Sequence, residues 1–115
     1  MTELTQEQLF DFDDDELYAE LGSRILGEGA SFGPEDLGRY RRFATKWLDQ
    51  HLAEIKEAVC GHPAVEFLQS GESSNGLLEA ATVADCLAAV YGRPTATVAA
   101  VILVRRGLNT LCGAP

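Results

Sequence analysis

Every proline in this chain follows a glycine by one or two residues, at Gly33-Pro34, Gly61-His62-Pro63, Gly92-Arg93-Pro94 and Gly113-Ala114-Pro115. Glycine takes the left-handed backbone that ends a helix. Proline has no N–H and a φ fixed near −65°, so it suits the first turn of the next helix. The pairs therefore divide the chain into helices. No alternating apolar pattern, hairpin turn or pair of β-branched runs lies between them to build a sheet. The expected fold is all-α: a compact bundle of about five helices in a single domain spanning 1–115, because a chain of this length holds one core.

Helical spacing places the elements. Thr5-Gln6-Glu7-Gln8 has the form of a capping box for a short helix through Phe10. Asp13-Asp14-Asp15-Glu16 puts acids at the positive end of a second helix, whose Leu17, Leu21 and Ile25 recur every four residues and which ends near Gly27 to Gly29. The longest helix is expected from Pro34 to Cys60. Its buried stripe is Leu37, Tyr40, Ala44, Trp47, Leu48, Ile55 and Val59, with Arg42, Lys46, Asp49 and Lys56 opposite and His51 at the border of the core face. A short helix over Pro63 to Gln69 and a polar loop over 70–76 follow. Leu77 to Tyr91 reads as a helix with Leu78, Ala81, Ala84 or Asp85, Ala88 and Tyr91 near one side. The segment Thr95 to Cys112 is apolar on every side in its first half, so it is expected to be one central, buried helix beside the long one.

The composition bounds the function. Hydrophobic residues make up 46% and charged residues 23%, the balance of a globular chain rather than a disordered one. The longest apolar or small run, Ala96 to Val104, is closed by Arg105 and Arg106 and is less than half of the roughly 20 residues needed to span a bilayer. The N-terminal residues carry Glu3 and Glu7 and lack the basic and apolar regions of a secretory leader, so a cytoplasmic protein is expected. Cys60, Cys86 and Cys112 form an odd set, 26 residues apart, and are expected as reduced, buried thiols in that compartment.

The net charge of −9 is unevenly placed. Residues 1–38 carry eleven acids against the single base Arg24, whereas Arg39, Arg41, Arg42 and Lys46 fall within eight residues. Residues 1–12 read as an acidic-hydrophobic arm. Its Leu9, Phe10 and Phe12 would be wet if the arm were free, so it is expected to dock on the basic face of the long helix, in the same chain or in a second copy. The candidate partner-binding residues are Phe10, Phe12, Asp13, Asp14, Asp15, Arg39, Arg41, Arg42 and Lys46.

No catalytic, cofactor-binding or metal site is expected. Asp11, Asp13 and Asp15 match positions one, three and five of a calcium loop, but Glu16 stands where that loop needs Gly and Gly22 where it needs Glu. His51 and His62 lack the paired spacing of zinc ligands, and no Glu-x-x-His pair marks a di-iron bundle. The expected function is therefore non-catalytic: a small acidic interaction or adaptor protein acting through a protein partner or its own oligomer, with no small-molecule ligand.

One segment carries a second reading. In residues 84–103, Ala88 is small where a first helix needs it, Gly92 falls at the turn, and Leu87, Tyr91, Val98 and Val101 take packing positions. The segment resembles the helix-turn-helix of bacterial repressors, with Arg93 in a place usually apolar. That resemblance implies a DNA-binding regulator with Pro94 to Leu103 as recognition helix. Its outward positions would be Pro94, Thr95, Ala96, Ala99 and Ala100, which offer no side chain able to read the edges of bases. Two packed helices joined through a glycine explain the same residues, and nucleic acid is ranked below a protein partner.

Overall fold

The computed structural model describes residues 6–26, 34–65 and 76–112. Six helices lie there: α1 (Gln6–Phe10), α2 (Asp14–Leu26), α3 (Pro34–Cys60), α4 (Gly76–Tyr91), α5 (Arg93–Arg106) and α6 (Leu108–Cys112). Among the described residues there is no strand, and the fold is all-α. The Thr5 cap, residues 66–69 of the expected short helix and residues 70–75 of the polar loop lie outside the described residues. Of that short helix, 63–65 form one turn.

α2 packs along α3, α4 packs along α5, and α2 also touches α5, so two helix pairs share one core. The Cα radius of gyration is 13.8 Å, against about 13 Å for a compact chain of this length. α5 occupies the centre. Thr95, Ala96 and every residue from Val98 to Leu103 are buried, because a helix apolar all round must be covered all round. α1, α2, α4 and α6 supply that cover. α3 is not central in the same way: Tyr40, Ala44, Leu48, Ile55 and Val59 are buried, while Arg39, Arg42, Lys46, Gln50, Ala53 and Glu57 stay exposed.

Local chemistry sets the boundaries. Asp13 Oδ1 accepts from the Glu16 N–H (2.8 Å) and Glu16 Oε1 from the Asp13 N–H (3.0 Å), a reciprocal cap on the first turn of α2. Gly92 alone joins α4 to α5. Its N–H donates to Ala88 O (2.9 Å), its carbonyl accepts from Ala96 N–H (3.0 Å), and its φ of 87° is one that side chains disfavour.

Three expectations are corrected. The C-terminal helix does not run unbroken to Cys112: Gly107, at φ 98°, ends α5 by donating its N–H to Leu103 O and Val104 O, and α6 restarts beyond it. In α4 the buried face is Ala80, Val83, Ala84 and Leu87, whereas Leu78 is exposed. So much of α4 is alanine that several faces satisfy the same spacing, and the larger Val83 and Leu87 decide which turns inward. Cys60 and Cys112 are not reduced thiols but a disulfide, with Cα atoms 5.5 Å apart. Cys86 alone is free.

α2 and α3 approach closely at Gly22, where an added Cβ would fall 2.9 Å from the Tyr40 carbonyl carbon and 3.1 Å from its Cα. Arg24 fastens the same helix to the start of α5, donating to Glu20 (2.7 Å) and to Pro94 O (2.8 Å).

Candidate functional site: a charged groove between α2 and α3

The first turns of α2 and the middle of α3 enclose an open groove of about 560 Å³, lined by Asp14, Asp15, Tyr18, Arg41, Arg42, Thr45, Lys46 and Asp49. Helical periodicity explains the lining. Arg41, Arg42, Thr45 and Asp49 lie on one flank of α3, three or four residues apart, and Asp14, Asp15 and Tyr18 do the same on α2. Five of the nine residues expected to bind a partner, namely Asp14, Asp15, Arg41, Arg42 and Lys46, thus meet in one place.

The remaining four are placed elsewhere. Asp13 caps α2, and Arg39 lies over the Tyr40 ring at 5.2 Å. Phe10 and Phe12 are half-buried against the core, and Leu9 is fully buried. α1 seats on α4 and α5 rather than on the basic face of α3. The cation that meets it is Arg105, which donates to the Phe10 carbonyl. Burial of apolar side chains outweighs exposed charge attraction, and the apolar surface that takes α1 belongs to α4 and α5.

Within the groove, charge is only partly satisfied. Asp15 pairs with Arg41 (3.1 Å) and Asp14 with Arg105 (3.3 Å). The Arg106 guanidinium covers the Tyr18 ring at 5.6 Å and donates to its hydroxyl. Thr45 turns its hydroxyl back to Arg41 O (2.9 Å). Arg42 and Lys46 form no ion pair or hydrogen bond with another described residue and stand exposed at the rim. Sequence reasoning set Asp49 on the outward face of α3 with Arg42 and Lys46, but missed Tyr18 and Thr45 as lining and Arg105 and Arg106 as clamps. The i+4 and i+8 spacing of Thr45 and Asp49 from Arg41 was a usable signal; no local signal connects Arg105 with Asp14.

A second groove, about 330 Å³, begins at Lys46 and continues along Phe43, Trp47 and Gln50. Trp47 stacks on His51 (4.4 Å between centroids) and meets Tyr91 edge-on (5.0 Å), so aromatic contacts fix the end of α4 against α3. The Tyr91 hydroxyl donates to Glu54. Burial, then that hydrogen bond and the Glu54 charge, push the Tyr91 hydroxyl well above its ordinary value of 10.0. The folded value lies above the unfolded one, so the contact is fully present below pH 10.0 and is lost as pH rises further. Glu54→Gln is expected to lower the Tyr91 ionisation pH, followed by tyrosinate absorbance; an unchanged titration would remove Glu54 as a cause.

Among the described residues no group of three or more His, Cys, Asp or Glu is placed to hold a metal, and no helix is long and apolar enough to cross a membrane. Comparison of the chain with protein-family models, with curated proteins and with solved structures finds no match.

Proposed function

We propose that this protein is a non-catalytic interaction module that holds a protein partner in the α2–α3 groove. The observation that carries the reading is the state of the groove's charges: Asp14 and Asp15 are engaged within the chain, while two cations, Arg42 and Lys46, against one carboxylate, Asp49, face outward without a described partner. An acidic segment meets attraction there although the whole chain is acidic, because screening over about 8–10 Å makes the local charges the ones a docking segment feels. Tyr18, held flat under Arg106, offers it a fixed aromatic surface.

The helix-turn-helix reading fares less well. Ala96, Ala99 and Ala100 are fully buried in the centre of the bundle, and Thr95 is nearly so. A recognition helix lies in the major groove, and the burial of Ala96, Ala99 and Ala100 leaves the DNA-binding reading with less support than the groove gives a protein partner.

Affinity capture from the native host, identified by mass spectrometry, tests the proposal. A specific partner is expected to be retained by the natural chain and by Lys56→Glu, which changes a cation outside the groove, and lost with Arg42→Glu/Lys46→Glu. Light scattering on the same variants reads a second copy as the partner. Equal capture by both variants would move the contact surface away from this groove.

A further inference from the structure

A covalent bond holds the short helix α6 on α3. α6 has five residues, far below the length at which a helix stands alone in water. Of Thr110, Leu111 and Cys112, only Leu111 is buried, at 7% exposure. Gly107, whose φ of 98° separates α6 from α5, also accepts the Leu111 N–H (3.1 Å). A covalent tie joins Cys112 to Cys60, the last residue of α3 and 52 positions earlier. Both cysteines are half-buried rather than enclosed in the core. Below α6 lies a cavity of about 120 Å³ with Leu52, Leu103 and Leu111 as walls and Lys56, Arg106 and Thr110 at its edge.

We propose that the Cys60–Cys112 bond is a redox latch: a dithiol reductant opens it, and α6 then leaves its seat on α3 while the remaining helices stay packed. In the exchange, a thiolate of the reductant attacks one sulfur and displaces the other cysteine as a thiolate, leaving a mixed disulfide. The second thiol of the reductant then attacks that bond. Two electrons pass from the dithiol to the protein, which ends with two thiols, while the reductant ends as a disulfide. Cys86 is not the exchanging group, since burial and the Asp85 charge push its thiol up and keep it protonated. Once the bond is open, Leu111 is the one buried side chain among the described residues 110–112 of α6. The core around α5 contains Leu17, Leu87 and Val98, and α1, α2 and α4 cover it besides α6. Release widens the cavity into an apolar strip of Leu52 and Leu103 edged by Lys56 and Arg106. The inference concerns the opposite end of α3 and does not rest on the groove.

Hydrogen exchange read by mass spectrometry on the full chain, with and without dithiothreitol, tests it. Denatured samples should titrate one thiol before reduction (Cys86) and three after. On reduction, amides 108–112 are expected to exchange about tenfold faster or more while those of α2, α4 and α5 change by less than about twofold. Trypsin should cut after Arg106 faster by a similar factor. Cys60→Ser/Cys112→Ser should match the reduced protein without reductant. Equal protection of α6 in both states would make the bond a static cross-link. Loss of protection in every helix would make it a staple of the whole fold, and three thiols before reduction would remove the latch; each result overturns the proposal.

Discussion

Gly22→Ala is expected to destabilise the protein by about 2–3 kcal/mol, against the gain of up to about 1 kcal/mol that the same change brings to an isolated helix. The added methyl group would meet the Tyr40 carbonyl carbon and Cα at 2.9 and 3.1 Å, both backbone atoms of α3. No flexible side chain is there to yield, so the helices must separate and loosen the contacts of Leu21, Ala44 and Leu48 beside them. The measurement is a urea titration, in which the midpoint falls with little change in slope. Separation of α2 from α3 would also reshape the groove, and partner capture should weaken in the same variant. Unchanged or raised stability would show that the two helices are not in contact at Gly22.

Leu103→Ala is expected to cost about 3–5 kcal/mol, the upper part of the range for such truncations. Leu103 is fully buried on a helix covered by four others, so the surroundings cannot collapse into the space it leaves. Ile102→Ala, at 3% exposure on the same helix, should follow closely. Leu78→Ala is the control, because Leu78 is 51% exposed and a surface truncation should stay within about 0.5 kcal/mol. If Leu103 and Leu78 cost the same, α5 is not the centre of the core.

Much of the helical layout was legible because it is written locally. Gly92 followed by Pro94 marks the α4–α5 junction, and Leu17 and Leu21 mark the inward face of α2. The break at Gly107 was written there too, in a glycine after two arginines, but no proline follows it and the apolar run before it dominates the reading. The disulfide was obscured by its own setting, since Cys-Gly before a proline at both sites also reads as a helix stop. The groove was half legible. Clustering of acids and of bases pointed to Asp14, Asp15, Arg41, Arg42 and Lys46, whereas the contact of Arg105 with Asp14 depends on which turn of α5 lies beside α2. No pattern within one helix contains that information, and the same is true of the choice of α5 over α3 as the seat of Leu9 and Phe10.

The position of α5 along the chain also decides when the protein can acquire its shape. The ribosome delivers α1 to α4 before any of residues 93–106, the surface on which α1, α2 and α4 are assembled. Until those residues emerge, Leu9, Leu17, Leu21 and Leu87 have no common partner, and the growing chain holds α2 and α3 without the helix that completes their core. Assembly is therefore expected as one event that waits for residues 93–106 to emerge, with the unfinished chain depending on chaperones until then.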